Sequence, residues 1–318
     1  MPFPDNFQEL MSLRKKIILM LMFLATLSPA AEGREKEMKI ALWKLPFNLP
    51  SMVAIENRTY EKAFAGEYKV EYITLPSGPK QVQAMAAGEL DIAEGLGAAS
   101  VIVAIANGVD ITVIGANSRS PEAFAVAVKN SKITGISDLK GKKVAGLRGS
   151  VVHQLFVELL RKEGLTEKEV EFFPMPLNAA ASALIAERVD AALLAGTEII
   201  RAEKGGCRVI KDGRGIVEGL SLIAVRREFA EKNQAAIDKY LYTREKIRLE
   251  TVNSSQKFIP LLKKETGLSE KEIKITLSKF NYDSRITESD IQELKKTAEY
   301  LKNENIIKLK PKINNILW

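Results

Sequence analysis

Met85-Ala86-Ala87-Gly88-Glu89-Leu90-Asp91-Ile92-Ala93 decides how the rest of the chain reads. An alanine-rich helix runs into a glycine, the residue that most readily closes a helix. An apolar run opening with aspartate follows, short enough for a buried strand. Leu184-Ile185-Ala186-Glu187-Arg188-Val189-Asp190-Ala191-Ala192 repeats the form. Either two βα units are alike by chance, or each half of the chain holds a similar lobe.

Outward from these two stretches, β-like runs alternate with helical patterns. In the first half, strands are expected at 38–43, 68–75, 90–94 and 111–116, with helices opening at Leu49-Pro50-Ser51, Ser77-Gly78-Pro79 and Ala98. In the second half, strands are expected at 124–128, 143–147, 170–173, 189–194, 207–210 and 220–225. Helices are expected at 151–163, 178–187 and 197–204, the second capped by Asn178. Val152, Leu155, Phe156, Leu159 and Leu160 recur at helical spacing. Strands alternating with helices predict an α/β fold with mainly parallel sheets. After Arg226 the chain becomes Lys/Glu-rich and helical, with capping-box patterns at Ser269–Glu272 and Thr287–Asp290. Such a tail is expected to pack on the outside of a lobe.

The length, 318 residues, suits two modest domains. The net charge of +7 is spread thinly, often as Lys beside Glu, which reads as a solvated surface and not as a nucleic-acid stripe. One Cys (Cys207) and one His (His153) exclude an intrachain disulfide and a His/Cys metal cluster. No acidic calcium-type loop occurs. Neither a metal nor a cofactor is expected.

Arg14-Lys15-Lys16, the apolar run 17–25 and the small residues Ser28, Ala30 and Ala31 have the anatomy of a secretory signal. Residues 1–30 are expected to be that signal, with Met11 as the natural start and cleavage after Ala30. The alternative is a retained anchor, although the run is shorter than the ~20 residues a span needs. No cysteine follows to carry a lipid, so a soluble monomer is expected.

Parallel sheets bind ligands beyond the carboxyl ends of their strands, where helix N-termini offer free N–H groups. Four such openings stand out: Phe47-Asn48-Leu49, Ser77-Gly78, Gly149-Ser150 and Leu177-Asn178. Singly each is a helix cap; two in each half suggest a cleft between lobes.

Several stretches stand out together: Gly78-Pro79-Lys80-Gln81-Val82-Gln83-Ala84-Met85, Ala87-Gly88-Glu89-Leu90-Asp91-Ile92 and Val113-Ile114-Gly115-Ala116. They continue in Ile136-Ser137-Asp138-Leu139-Lys140-Gly141-Lys142-Lys143-Val144-Ala145, Arg148-Gly149-Ser150-Val151-Val152-His153 and Val189-Asp190-Ala191-Ala192. In these, residues 38–225 resemble periplasmic binding proteins of the aliphatic-sulfonate, taurine and nitrate type, which include relatives for thiamine precursors. The resemblance implies a periplasmic-binding-protein-like type II fold with two crossovers, near 117–124 and 213–222. Lobe one would be 38–118 plus 222–318, and lobe two 119–221. It also implies a periplasmic protein that carries a small solute to an ABC transporter permease. By position, Asn48, Ser77, Gly78, Gly97, Ser118, Gly149, Ser150 and Thr197 would face the cleft.

The sequence departs from the pattern at Leu194-Ala195-Gly196-Thr197-Glu198, where sulfonate and taurine binders often place a Trp and an Asp-Pro. Glu94 also stands where a neutral residue is common. If Glu94 and Glu198 reach the ligand, a cationic, zwitterionic or heterocyclic solute is expected in place of a simple sulfonate. If not, they face solvent or pair with Arg119 or Arg201. His153 and Asn178 are further candidates for ligand contact. Cys207 reads as packing, and Trp43 as cleft or core. The competing reading is an enzyme on the same fold acting on a cofactor precursor. No G-x-S-x-G, phosphate-binding glycine fingerprint or assembled Ser/His/Asp set supports it. A sensory domain would need a DNA-binding or signalling segment, which the chain lacks.

Overall fold

The computed structural model describes residues 35–42, 48–75 and 77–318. The expected signal segment, Trp43 and Phe47 lie outside these residues. The first lobe is built from β1 (Lys36–Ala41), α1 (Leu49–Glu56), α2 (Thr59–Phe64), β2 (Tyr68–Ile73), α3 (Gly78–Ala86), β3 (Ile92–Gly97), α4 (Ala98–Ala106) and β4 (Ile111–Ser118). The chain then enters a second sheet through β5 (Phe124–Val128), β6 (Lys143–Gly146), α5 (Val151–Lys162), β7 (Glu171–Pro174), α6 (Leu177–Ile185), β8 (Ala191–Ala195), α7 (Thr197–Lys204) and β9 (Arg208–Asp212). It returns by β10 (Ser221–Arg226) and ends in α8 (Arg227–Lys232), α9 (Gln234–Asn253), α10 (Ile259–Thr266), α11 (Glu270–Leu277) and α12 (Glu288–Asn303).

Each sheet has five strands, ordered β2-β1-β3-β10-β4 and β7-β6-β8-β5-β9. In each, four strands run one way and the fifth runs against its two neighbours: β10 between β3 and β4, β5 between β8 and β9. The reversed strands are the two that arrive straight from the other lobe. No crossover helix precedes them, so nothing returns the chain to the end where a parallel strand must begin. The sheets are therefore mixed, though mainly parallel in direction.

Alternation along the strands splits the first lobe into two cores. Ile223 and Val225 of β10 point with Met38, Ile40 and Ile92 toward α1, α2 and α9. Leu222 and Ala224 point with Ala41 and Ala93 toward α4 and α12. The second sheet divides likewise, Val126 and Val128 on one face and Ala125 and Ala127 on the other. The helical tail does more than cover a lobe. Asp290, at the start of α12, pairs with Arg119 in the first crossover, and further along α12 Thr297 donates to Gln154 of α5 at 3.1 Å.

Candidate functional site

Between the sheets lies a cleft of about 530 Å³. It sits at the carboxyl ends of β3, β4, β6 and β8, where their last residues or the loops after them form its wall. The first lobe contributes Asn48, Pro79, Gly97, Ser100, Ser118 and Ser221; the second contributes Phe124, Leu147 to Val152, Leu177, Ala195, Thr197 and Glu198. Ser120, Gly219 and Leu220 come from the crossovers, and Phe280 from the tail.

Helices α1, α4, α5 and α7 open at this cleft through Asn48, Gly97, Ser150 and Thr197. None has a side-chain cap: the Asn48 and Ser150 side chains do not bond the first-turn N–H groups, and Gly97 and Gly196 have no side chain to offer. The Ser150 hydroxyl instead donates to the Leu147 carbonyl at 2.6 Å. α11 and α12 carry complete capping boxes from Ser269 and Thr287, while α2, α3, α6, α8, α9 and α10 also lack a side-chain cap, so what sets the four cleft helices apart is their convergence. Uncapped N-termini converging on one space make it favourable for an anion. Gly149 is left-handed there (φ 74°), and a Cβ on it would stand 3.1 Å from Ile306 of the tail, so the Arg148–Ser150 turn requires glycine.

Seven of the expected residues line the cleft: Asn48, Gly97, Ser118, Gly149, Ser150, Thr197 and Glu198. Glu198 Oε2 is bound by Arg201 at 2.9 Å. Five do not line it. Ser77 and Gly78 sit one step back; a Cβ on Gly78 would meet Ser100 Oγ at 2.7 Å, so this glycine serves the close approach of α3 and α4. Asn178 is the second residue of α6, whose cap is Pro176, and its side chain is exposed; Leu177 takes the place at the cleft.

Glu94 is fully buried. It lies on the same face of β3 as Ile92, which directs it under the sheet toward α2 and α9. There it accepts from Tyr60 at 2.7 Å, from Tyr240 and from Ser51, with Arg244 Nε at 3.6 Å. Burial, and next the Glu94 charge, push both tyrosine hydroxyls well above their ordinary pKa. Its expected partner Arg119 is taken by Asp290.

His153 is also fully buried. A helix turns about 100° per residue, so while Val151 and Val152 meet the cleft, position 153 faces the tail. Its ring bonds Tyr300 through Nδ1 and Glu167 through Nε2, against Phe172 at 4.9 Å. Burial alone would raise the Glu167 carboxyl, but hydrogen bonds from His153 and Arg148 hold it below the ordinary range. His153, Glu167 and Glu304 could surround a cation. Arg148 already supplies that charge, bonding Glu167 and approaching Glu304 at 3.7 Å. Cys207 is buried in the second-lobe core, as packing requires.

Sequence reading missed Ser100, Ser221 and Phe280 as cleft residues, and at the Leu177-Asn178 opening it chose Asn178 where Leu177 lines the cleft. Ser221 opens a strand and Phe280 lies in the helical tail, and neither carries a local signal for a cleft.

Two sheets of matching strand order, joined by two crossovers around a cleft of helix N-termini, define a two-lobed binding-protein fold. The chain belongs to the NMT1/THI5-like family, whose model matches residues 67–243. A curated Escherichia coli (strain K12) protein, named for binding aliphatic sulfonates, is 30% identical over 250 residues, 78% of this chain and 77% of that protein. The crystal structure of the periplasmic aliphatic sulphonate binding protein of Escherichia coli superposes with a TM-score of 0.80 and 26% identity, over 89% of this chain and 97% of that one. The alkanesulfonate-binding protein of Xanthomonas axonopodis pv. citri, bound to MOPS, shares the fold with a TM-score of 0.76 and 22% identity, over 91% of this chain and 99% of that one.

Proposed function

We infer that this protein is the solute-binding component of an ABC importer and holds a small sulfonate-like anion in the interlobe cleft. The observation that carries this reading is the convergence of four helix N-termini on the cleft, with one expected acid buried elsewhere and the other paired with an arginine. Glu94 is buried beneath the sheet and Glu198 is held by Arg201. A cationic ligand therefore has no free carboxylate from either residue. The relatives named for sulfonate binding support the same class.

The protein acts outside the cytoplasmic membrane after loss of residues 1–30, as a monomer that hands its solute to a permease. No described helix is long and apolar enough to cross a membrane. Ligand contacts from both lobes favour the closed arrangement, shifting the population by the difference in affinity between open and closed states. Binding without chemistry is favoured over catalysis because His153 has both ring nitrogens engaged and Cys207 is buried away from the cleft.

The test is isothermal titration of residues 31–318 with ethanesulfonate, butanesulfonate, taurine, nitrate and putrescine. Saturable binding of a sulfonate and none of putrescine is expected. Ser150→Trp fills the cleft and should abolish that binding while unfolding near the wild-type temperature. Preferential binding of putrescine would overturn the anion reading.

A further inference from the structure

A buried chain of polar groups runs from an ion pair to the floor of the cleft. Glu94 (0% exposed) and Arg244 (1%) form the pair. Arg244 Nη2 donates to Asn117 Oδ1 at 2.9 Å. A guanidinium has donors only, so Asn117 turns its oxygen toward Arg244 and its Nδ2 away. That Nδ2 donates to Asn48 Oδ1 and, at 3.3 Å, to Ser221 Oγ. Both receiving residues line the cleft. With its oxygen turned inward to Asn117, Asn48 directs its N–H groups the other way, toward a ligand. Ser221, accepting on its oxygen, keeps its O–H to donate.

We propose that Asn117, oriented by Arg244, is a positioning residue that sets the hydrogen-bond polarity of the cleft floor and so selects an acceptor-only headgroup, such as a sulfonate, over an ammonium. Glu94 balances the charge of Arg244 inside the lobe and does not touch the ligand. The relay converts a carboxylate and a cation, both out of reach, into two aimed donors. A floor that presents donors serves an acceptor-only headgroup better than an ammonium, because a polar site discriminates against a partner that leaves its groups unpaired. The headgroup rests on the anion reading above; the polarity of the floor does not.

Asn117→Asp tests it. Aspartate keeps one oxygen on Arg244 and turns the other to Asn48 and Ser221. Asn48 must then donate inward and show its oxygen to the cleft, and the Ser221 O–H turns inward as well. Isothermal titration with ethanesulfonate should show about a tenfold loss or more, the size of one hydrogen bond to a charged group, with the unfolding temperature kept by the retained Arg244 contact. Affinity within twofold of wild type would overturn the proposal.

A ligand-free measurement decides it independently. By NMR, the Asn48 carboxamide protons of the wild-type protein should exchange with solvent faster than those of Asn117, and should slow in N117D. Equal protection of Asn48 and Asn117 in the wild type would overturn the relay, whether or not the variant folds. If the exchange contrast appears but the wild-type protein takes no sulfonate, the anion reading falls and the relay stands.

Discussion

At the scale of single residues, placement of an acid matters more than its presence. Glu198 stands on the cleft wall in the first turn of α7, where Arg201 bonds its carboxylate. Glu198→Gln should therefore leave ethanesulfonate affinity within about twofold, since an exposed ion pair contributes little. A tenfold loss by titration would mean that its carboxylate recognises the ligand. Glu293 of α12 is different. It is 3% exposed, and burial raises its carboxyl to about 7. Gln154 faces it at 3.4 Å; Lys296 opposes the shift, and the charges of Glu218 and Glu158 add to it. The unfolded chain releases this proton near 4.5, while the folded protein keeps it to about 7. Its contribution to stability is thus complete below the lower value and is lost as pH rises to the upper one, by on the order of 3 kcal/mol. Glu293→Gln should raise the melting temperature at pH 8 relative to wild type and narrow that difference at pH 5. Equal curves at both pH values would place the titration elsewhere.

At the scale of elements, the two similar stretches occupy equivalent places. Gly88 and Glu187 both turn left-handed at the end of a helix, and both helices lead into the third-position strand of their sheet. Asp91 accepts from the Lys39 N–H and Asp190 from the Lys143 N–H, each at 2.9 Å, while their own N–H groups bond the carbonyls of those same lysines. The aspartate clips the start of one strand to its parallel neighbour, in each lobe alike. Asp190→Ala should cost about 1–2 kcal/mol in urea unfolding, as expected for a lost charged hydrogen bond. Asp91→Ala should cost more, because Asp91 also binds Arg226 at 2.8 Å. Equal costs would show that the Arg226 pair adds nothing.

At the scale of the whole molecule, the tail ties the lobes together at the crossover. Arg119 sits between sheets, bonding Asp290 as well as the carbonyls of Asp283 and Arg285 at 2.7 Å. Ser289 beside it reaches Glu218 of the second crossover at 2.9 Å. Removing one partner of a buried pair strands the other charge, so Asp290→Ala should destabilise by about 3–5 kcal/mol. Thermal unfolding checks this. A change below about 1 kcal/mol would mean that the carbonyls alone satisfy Arg119.

The α/β class, the order of most elements and the glycine turn at Gly149 were legible in the sequence because each rests on local chemistry: periodicity, capping and backbone freedom. So were the helix openings at Asn48, Gly97, Ser150 and Thr197. The sequence could not say that β5 and β10 run against their neighbours, since direction is set by where the chain crosses between lobes. Nor could it say which way Glu94 and His153 face. Glu94 is turned under the sheet by strand alternation and finds Arg244 150 positions later; His153 is turned by helix phase toward Tyr300. Their roles depend on partners that only packing brings within reach. The same holds for the polarity of the cleft floor, where Arg244 of the tail orients Asn117 and, through it, Asn48 and Ser221.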